Sequence, residues 1–225
     1  MTQRYSGSYD KDLASLIDHT IMQPDVTTDT VKQQCELAIR YDFAGVCVST
    51  VHIALAAQVL QGSALNVCTG VGFPLGASGY LLKAMETRDA VASGADEIDM
   101  VVNIGAIKEG DYLTLEREIE AVKDAAEGRT VKVLLEICYL SDAEIVKVCR
   151  IAAERSAAFV KTSTGFGPGG ATVEAVRLMR KTVGPTIGVK AAGGISNRSF
   201  ALKLLEAGAS RLGMSKSIEV IHELD

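Results

Sequence analysis

Five ionisable residues interrupt short apolar runs that would otherwise suit buried strands. Lys132, Lys161 and Lys190 each stand among valine, alanine or threonine, and Asp18 and Asp99 stand beside isoleucine. An isolated charge is costly to remove from water, so such groups must be paired, neutral or next to a wet cavity. A lysine with a free amine can form a carbinolamine and a Schiff base, and a nearby carboxylate can relay protons. The set therefore predicts covalent amine catalysis.

The surrounding sequence alternates between short apolar runs and amphipathic stretches, which predicts eight strands that are each followed by a helix. Eight such units in 225 residues favour a closed (β/α)8 TIM barrel over an open doubly wound sheet. No linker or composition break divides the chain, so we expect one domain over residues 1–225, with a short helix before Leu16 closing the barrel bottom. The expected strands are Leu16–Thr20, Gly45–Ser49, Asn66–Gly72, Glu97–Val102, Thr130–Glu136, Phe159–Ser163, Thr186–Ala192 and Arg211–Ser215.

The predicted barrel brings the charged residues together. Lys161 and Lys190 lie near the carboxyl ends of neighbouring strands, so two ammonium groups are expected at one mouth. Like charges at short distance lower the pKa of a lysine. A fall in the pKa of about three units, which corresponds to roughly 4 kcal/mol, would give a free amine at neutral pH. The alternative is a structural ion network in which Lys132 pairs with Asp99 and the other lysines extend to solvent. Because two lysines and Asp99 meet at strand ends, we favour catalysis, with Lys132 as support.

Glycines follow the late strands, in the range Gly165–Gly170, at Gly193 and Gly194, and at Gly213. Glycine lets backbone N–H groups approach an anion, and the loops after strands seven and eight of such barrels often hold a phosphate. Tight turns that need a positive φ are the alternative explanation. Side chains that could add donors at these positions are Ser196, Ser215 and Lys216.

Composition limits the classes of partner and cofactor. The net charge of −5 disfavours a general nucleic-acid or anionic-membrane binder. The five cysteines are odd in number and lack C-x-x-C spacing, and no apolar run reaches membrane length, so we expect a reduced, soluble, cytoplasmic protein. His19, His52 and His222 lack metal-ligand spacing, so we expect no metal and no cofactor.

Five segments in chain order resemble the deoxyribose-phosphate aldolase family, over a stretch from about residue 13 to residue 218. This resemblance implies a (β/α)8 barrel without a metal, and reversible cleavage of 2-deoxy-D-ribose 5-phosphate to acetaldehyde and D-glyceraldehyde 3-phosphate. The partners would be a phosphorylated deoxy sugar and aldehydes, with a homodimer or higher homo-oligomer as the assembly. The segments are Ile17–Thr20, Gly72–Ala77, Ala95–Met100 with Asn103–Gly105, Phe159–Phe166 and Val189–Ile195.

The resemblance also implies roles by position. Lys161 would form the Schiff base, Lys190 would favour its deprotonation and Asp99 would relay protons. Asp18 and Cys47 match positions that line the pocket. The positions that match the phosphate site are Gly170, Gly193, Gly194, Gly213 and Ser215.

Two positions depart from the family pattern. Ser196 stands where members commonly have an arginine, and Lys216 stands where they often have a serine. Lys216 is the candidate that offsets the missing charge if its side chain turns toward the mouth, and the alternative is that it points out to solvent. The alternatives are another Schiff-base barrel enzyme, such as a different aldolase or a transaldolase, and a barrel that binds sugar phosphates without catalysis.

Overall fold

The computed structural model describes residues 8–223, and these residues form a closed barrel of eight parallel strands. Each strand pairs with the next along the chain, and β8 pairs with β1 to complete the circle. The predicted (β/α)8 fold is therefore confirmed. The strands are β1 Ile17–Ile21, β2 Gly45–Val48, β3 Asn66–Val71, β4 Glu97–Val101, β5 Thr130–Leu134, β6 Phe159–Lys161, β7 Gly188–Ala192 and β8 Arg211–Met214.

Helices cover the outside of the barrel, and two short 3₁₀ turns, Thr50–His52 and Ile137–Tyr139, follow β2 and β5. The first helix precedes β1, where the prediction placed it, and packs against the last helix. No helix within residues 8–223 has both the length and the apolar character needed to cross a bilayer. The helices are α1 Lys11–Ala14, α2 Thr28–Arg40, α3 Ile53–Leu60, α4 Tyr80–Ala92, α5 Ile104–Glu109, α6 Tyr112–Ala125, α7 Asp142–Glu154, α8 Val173–Val183, α9 Arg198–Glu206 and α10 Ser217–His222.

Local sequence signals set several helix boundaries. Thr27 and Thr172 accept hydrogen bonds from backbone N–H groups in the first turns of α2 and α8, and Ser141 forms a capping box with Glu144 at the start of α7. These side chains satisfy N–H groups that have no partner inside the helix. The sequence indicates caps at Thr27 or Thr28, at Ser141 and at Thr172, and the structure has them at Thr27, Ser141 and Thr172.

Six strands end earlier than predicted, and two of them, the fifth and the sixth, end two residues early. The fifth ends at Leu134 rather than at Glu136, because Glu136 adopts a left-handed conformation with φ 54° and begins a 3₁₀ turn. The sixth ends at Lys161 rather than at Ser163. Lys161 is therefore the last residue of its strand, at the edge of the barrel mouth.

A buried ion pair outside the barrel fixes the carboxyl end of β4. Lys83 of α4 lies 2.7 Å from Glu118 of α6 and donates to the carbonyl oxygen of Val101 at 2.8 Å. Glu118 in turn accepts a hydrogen bond from the backbone N–H of Asn103 at 3.0 Å. Burial lowers the pKa of Lys83 and raises that of Glu118. The pair ties both covering helices to the strand that carries Asp99.

The strand register sorts the inward-facing residues into three layers of four, each contributed by alternate strands, as this barrel type requires. Such layers are usually filled by branched apolar side chains, and here they carry most of the buried charge of the protein. The lower layer is Gly45, Glu97, Phe159 and Arg211; the middle layer is Asp18, Cys68, Lys132 and Lys190; the upper layer is Cys47, Asp99, Lys161 and Gly213.

Candidate active site

Asp99 in the upper layer is the centre of the charged interior. Its Oδ2 lies 2.7 Å from the Nζ of Lys161 and 2.8 Å from that of Lys190. Its Oδ1 accepts from Lys132 at 2.8 Å and from the Cys68 thiol at 3.2 Å. Burial alone would raise the pKa of Asp99, but the three lysines outweigh it and hold that pKa well below its usual range. Asp99 is therefore a carboxylate that contacts all three strand lysines.

Beneath Asp99 the ion pairs close into a ring. Lys190 contacts Asp18 at 2.5 Å, and Arg211 contacts Asp18 at 2.6 Å. Lys132 contacts Glu97 at 2.5 Å, and Glu97 lies 3.4 Å from Arg211. Cations and carboxylates alternate around this arrangement, which we call the charge ring. Its members in order are Arg211, Asp18, Lys190, Asp99, Lys132 and Glu97.

The ring corrects one expectation from the sequence. Lys161 and Lys190 do meet at one mouth, but Asp99 lies between them, so neither faces the other as a bare like charge. Burial would lower the pKa of Lys190, yet Asp18 and Asp99 raise it well above its ordinary value. The two carboxylates therefore hold Lys190 as an ammonium group. Asp18 shows the reverse balance: burial would raise its pKa, but Lys190, Lys132 and Arg211 keep it low.

Lys161 differs from the other strand lysines in its access to solvent. A cavity of about 190 Å³ opens at the carboxyl ends of the strands, and Lys161 lines it. The side chain of Lys161 is 5% exposed, whereas those of Lys132 and Lys190 are fully buried. A molecule in the cavity can therefore reach the amine of Lys161 and neither of the other two.

The turn after β7 and the end of β8 also line this cavity. Gly193 and Gly194 have φ values of 87° and 76°, which glycine adopts without strain. Ser196, Ser215 and Lys216 line the same cavity and are exposed. These residues thus line one cavity together with Lys161.

Three residues that the resemblance assigned to substrate binding lie behind the cavity lining. Asp18 lies beside Lys190 in the middle layer, and Cys47 is buried with its thiol 3.6 Å from the Met22 sulfur. Gly170 packs behind the β7 turn, where an added Cβ would lie 2.3 Å from the Gly193 carbonyl oxygen. Asp18 contacts Lys190 and Gly170 packs against Gly193, so neither lines the cavity itself.

Gly213 has two environments. It lines the cavity, as predicted, and an added Cβ would also lie 3.1 Å from the Cε of Lys190. The absence of a side chain at residue 213 thus leaves room for the stem of Lys190.

Sequence reasoning missed four residues of this region. Glu97 and Arg211 belong to the charge ring, and each stands two positions before an upper-layer residue on the same strand. That spacing puts both on the inner face and could have identified them. Cys68 donates its thiol to Asp99 at 3.2 Å, a contact that the sequence does not signal. Glu136 accepts from the backbone N–H and hydroxyl of Thr164, and only its left-handed backbone brings it there.

Two sets of side chains within residues 8–223 could hold a metal ion by distance alone. They are Cys47, Cys68 and Asp99, and Asp18, Cys68 and Glu97. The shared Cys68 sulfur lies 3.5 Å from the Nζ of Lys132 and 3.9 Å from that of Lys190. Lysine ammonium groups therefore supply the positive charge in this space.

A closed (β/α)8 barrel with a lysine-lined cavity at the carboxyl ends of its strands has the architecture of a barrel enzyme. The sequence model of the DeoC/LacD aldolase family matches residues 13–215. A deoxyribose-phosphate aldolase from Bacillus mycoides (strain KBAB4) is 51% identical over 210 residues, which cover 93% of this chain and 94% of that one. The chain belongs to the DeoC/LacD family of aldolases.

Solved structures agree with this assignment. An aldolase named QR15 superposes with a TM-score of 0.90 at 34% identity, covering 94% of this chain and 95% of that one. A deoxyribose phosphate aldolase from Aeropyrum pernix, described as a unique tetramer, superposes with a TM-score of 0.85 at 28% identity, covering 94% and 90%. The chain is thus similar in both sequence and fold to aldolases along nearly its whole length.

Proposed function

We propose that this aldolase reversibly cleaves 2-deoxy-D-ribose 5-phosphate to acetaldehyde and D-glyceraldehyde 3-phosphate through a Schiff base on Lys161. The observation that carries the assignment of the nucleophile is the position of Lys161. It is the strand lysine that reaches the cavity, and its Nζ lies 2.7 Å from the buried carboxylate of Asp99. The substrate follows from the relative that is named for it and is 51% identical.

The charge balance of the interior favours the same lysine. The charge ring contains three cations and three carboxylates, so it is neutral by itself. Lys161 attaches to the ring only through Asp99 and adds a seventh, unbalanced charge. Loss of a proton from Lys161 leaves the buried cluster neutral, whereas loss from Lys132 or Lys190 breaks two ion pairs of the ring. Of the three lysines, Lys161 is therefore the one whose neutral form leaves every ion pair of the charge ring in place.

In the cleavage direction the free amine of Lys161 attacks C1 of the open-chain sugar to give a carbinolamine. Loss of water yields a protonated imine, which accepts the electron pair of the C2–C3 bond. Removal of the C3 hydroxyl proton releases D-glyceraldehyde 3-phosphate and leaves an enamine. A proton then adds to C2, and hydrolysis of the imine frees acetaldehyde and Lys161. Asp99 and Lys190, joined at 2.8 Å behind Lys161, would exchange these protons with the substrate through a water bound beside the Nζ of Lys161, which lies 2.7 Å from Asp99.

The phosphate of the substrate would lie against the turn after β7. Backbone N–H groups near Gly193 and Gly194, with the hydroxyl groups of Ser196 and Ser215, are donors that line the cavity. Lys216 lines the same cavity as Lys161. A sugar phosphate can thus place its phosphate on the turn after β7 while its C1 lies toward Lys161.

A substrate panel tests this function. The purified protein is given 2-deoxy-D-ribose 5-phosphate, D-ribose 5-phosphate and a transaldolase donor ketose, and D-glyceraldehyde 3-phosphate is followed with a coupled dehydrogenase. We expect turnover of the deoxy sugar alone, inhibited when borohydride is added with acetaldehyde. Preference for the ketose would indicate a transaldolase, and no turnover of any sugar would indicate a barrel that only binds.

We also propose that residues 1–225 form one domain that assembles as a homo-oligomer in the cytoplasm. All five cysteines are free thiols, which suits a reducing compartment. Leu81, Leu82 and Met85 of α4 are 59–64% exposed and lie next to one another on the helix, which is a surface that a second copy could cover. Light scattering should give at least a dimer, and Leu82→Asp with Met85→Asp should give a monomer. A monomeric parent would refute this assembly.

A further inference from the structure

The lower half of the charge ring lies away from the cavity. Glu97 and Arg211 are in the lower layer, and neither lines the cavity that Lys161 faces. Their side chains are 6% and 15% exposed. Burial lowers the pKa of Arg211, but Asp18 and Glu97 raise it above its ordinary value, so Arg211 stays a cation.

Two rows of contacts connect this lower pair to Asp99. One row runs from Arg211 through Asp18 to Lys190, with contacts of 2.6 and 2.5 Å. The other runs from Glu97 to Lys132 at 2.5 Å. Both lysines end on Asp99 at 2.8 Å, on different oxygens. Any change of charge at the bottom of the barrel is therefore felt at the carboxylate that Lys161 contacts.

From this arrangement we propose that Glu97 and Arg211 are positioning residues of the aldolase reaction, which close the charge ring and together set the pH range in which Lys161 is a nucleophile. This inference rests on the proposed role of Lys161. Neither residue touches the substrate, and each acts through the two lysines that hold Asp99.

The two residues should act with opposite sign. A carboxylate at residue 97 favours the ammonium form of the lysines above it, and a guanidinium at residue 211 disfavours that form. The groups facing Lys161 from the other strands are Asp18 of β1, Cys47 of β2, Cys68 of β3, Glu97 and Asp99 of β4, Lys132 of β5, Lys190 of β7 and Arg211 of β8.

The expected size follows from Coulomb's law. Charges about 10 Å apart at an effective dielectric constant of about 20 shift a protonation equilibrium by roughly one pH unit. On the acidic side of the pH profile, kcat/KM reaches half of its maximum at a certain pH, the acidic half-maximum. Glu97→Gln should therefore move this half-maximum down by about one pH unit, and Arg211→Met should move it up by a similar amount. The double variant should return close to the parent, and Arg211→Lys, which keeps the charge, should stay at the parent value.

The experiment compares pH–rate profiles of these four variants with the parent, and repeats them for the rate of borohydride trapping with acetaldehyde. Glu118→Gln is the matched control, because it makes the same substitution in the buried pair outside the barrel. We expect it to lower stability without moving the half-maximum. If Glu97→Gln does not fold, the comparison of Arg211→Met with Arg211→Lys carries the test alone.

Shifts of the same sign in Glu97→Gln and Arg211→Met, or unshifted profiles in both, would overturn the proposal and leave the pair a purely structural one. Failure of the proposed function looks different, since the parent itself would then neither cleave the sugar phosphate nor trap acetaldehyde. The parent profile is therefore measured first.

Discussion

Replacement of Lys216 by alanine tests how this protein binds a phosphate without the arginine that its family commonly has. Lys216 lines the cavity wall beside Gly193 and Gly194, and its side chain is exposed. A charge-assisted hydrogen bond contributes about 1.5–3 kcal/mol, and solvent exposure places Lys216 at the lower end of that range. We therefore expect a loss of about 1–2 kcal/mol, or roughly 5- to 30-fold in KM for the phosphorylated sugar.

The assay compares Lys216→Ala with the parent on 2-deoxy-D-ribose 5-phosphate and on unphosphorylated 2-deoxyribose. The second substrate has no phosphate, so its kinetics should change less than twofold if Lys216 acts on the phosphate alone. Lys203→Ala removes an exposed lysine of α9 outside the cavity and serves as the control for net charge. Equal KM values for Lys216→Ala and the parent on the phosphorylated sugar would refute the reasoning and assign Lys216 to the solvated surface.

Three further outcomes follow from the buried charges. Lys190→Leu should lower the free energy of unfolding by about 3–5 kcal/mol, because Asp18 and Asp99 lose a buried partner. The same variant should be less active at neutral pH, and part of the lost activity should return in alkaline buffer. Gly213→Ala should cost about 1–3 kcal/mol and lower kcat, since its Cβ would press on Lys190; an unchanged kcat would contradict this contact. The shifted pKa values of Asp99 and Lys190 also make thermal stability depend on pH. Because the pKa of Asp99 is lowered in the folded protein, Asp99 stabilises the fold above pH 3.8, and this contribution is lost as the pH falls through the lowered pKa. Because the pKa of Lys190 is raised, Lys190 stabilises the fold below pH 10.5, and this contribution is lost as the pH rises through the raised pKa. Melting temperatures should therefore fall on both sides of that interval.

The barrel could be predicted from the sequence because each element carries a local signal. Alternating apolar runs gave all eight strands, and caps such as Thr27 and Ser141 gave helix starts. The ends of β5 and β6 could not be predicted. They depend on the left-handed backbone of Glu136 and on its contact with Thr164, 28 residues away.

The candidate site was partly predictable for the same reason. Lysines within apolar runs stand out in any sequence, so Lys132, Lys161 and Lys190 were found. Which carboxylate each one contacts depends on the tilt of the strands, which brings Arg211 of β8 next to Asp18 of β1 and Glu97 of β4. Contacts between residues more than 100 positions apart have no local signal, so the charge ring emerged only from the fold.

The identity of the nucleophile is tested most directly by peptide mapping of the borohydride-trapped protein. The parent is incubated with acetaldehyde, reduced and digested, and the N-ethyl lysine is located by mass spectrometry; Lys161→Arg is the control, since a guanidinium stays protonated and cannot form the imine. We predict a single modified peptide that contains Lys161, and no modification in the control. An N-ethyl group on Lys190, Lys132 or Lys216 in place of Lys161 would contradict the account.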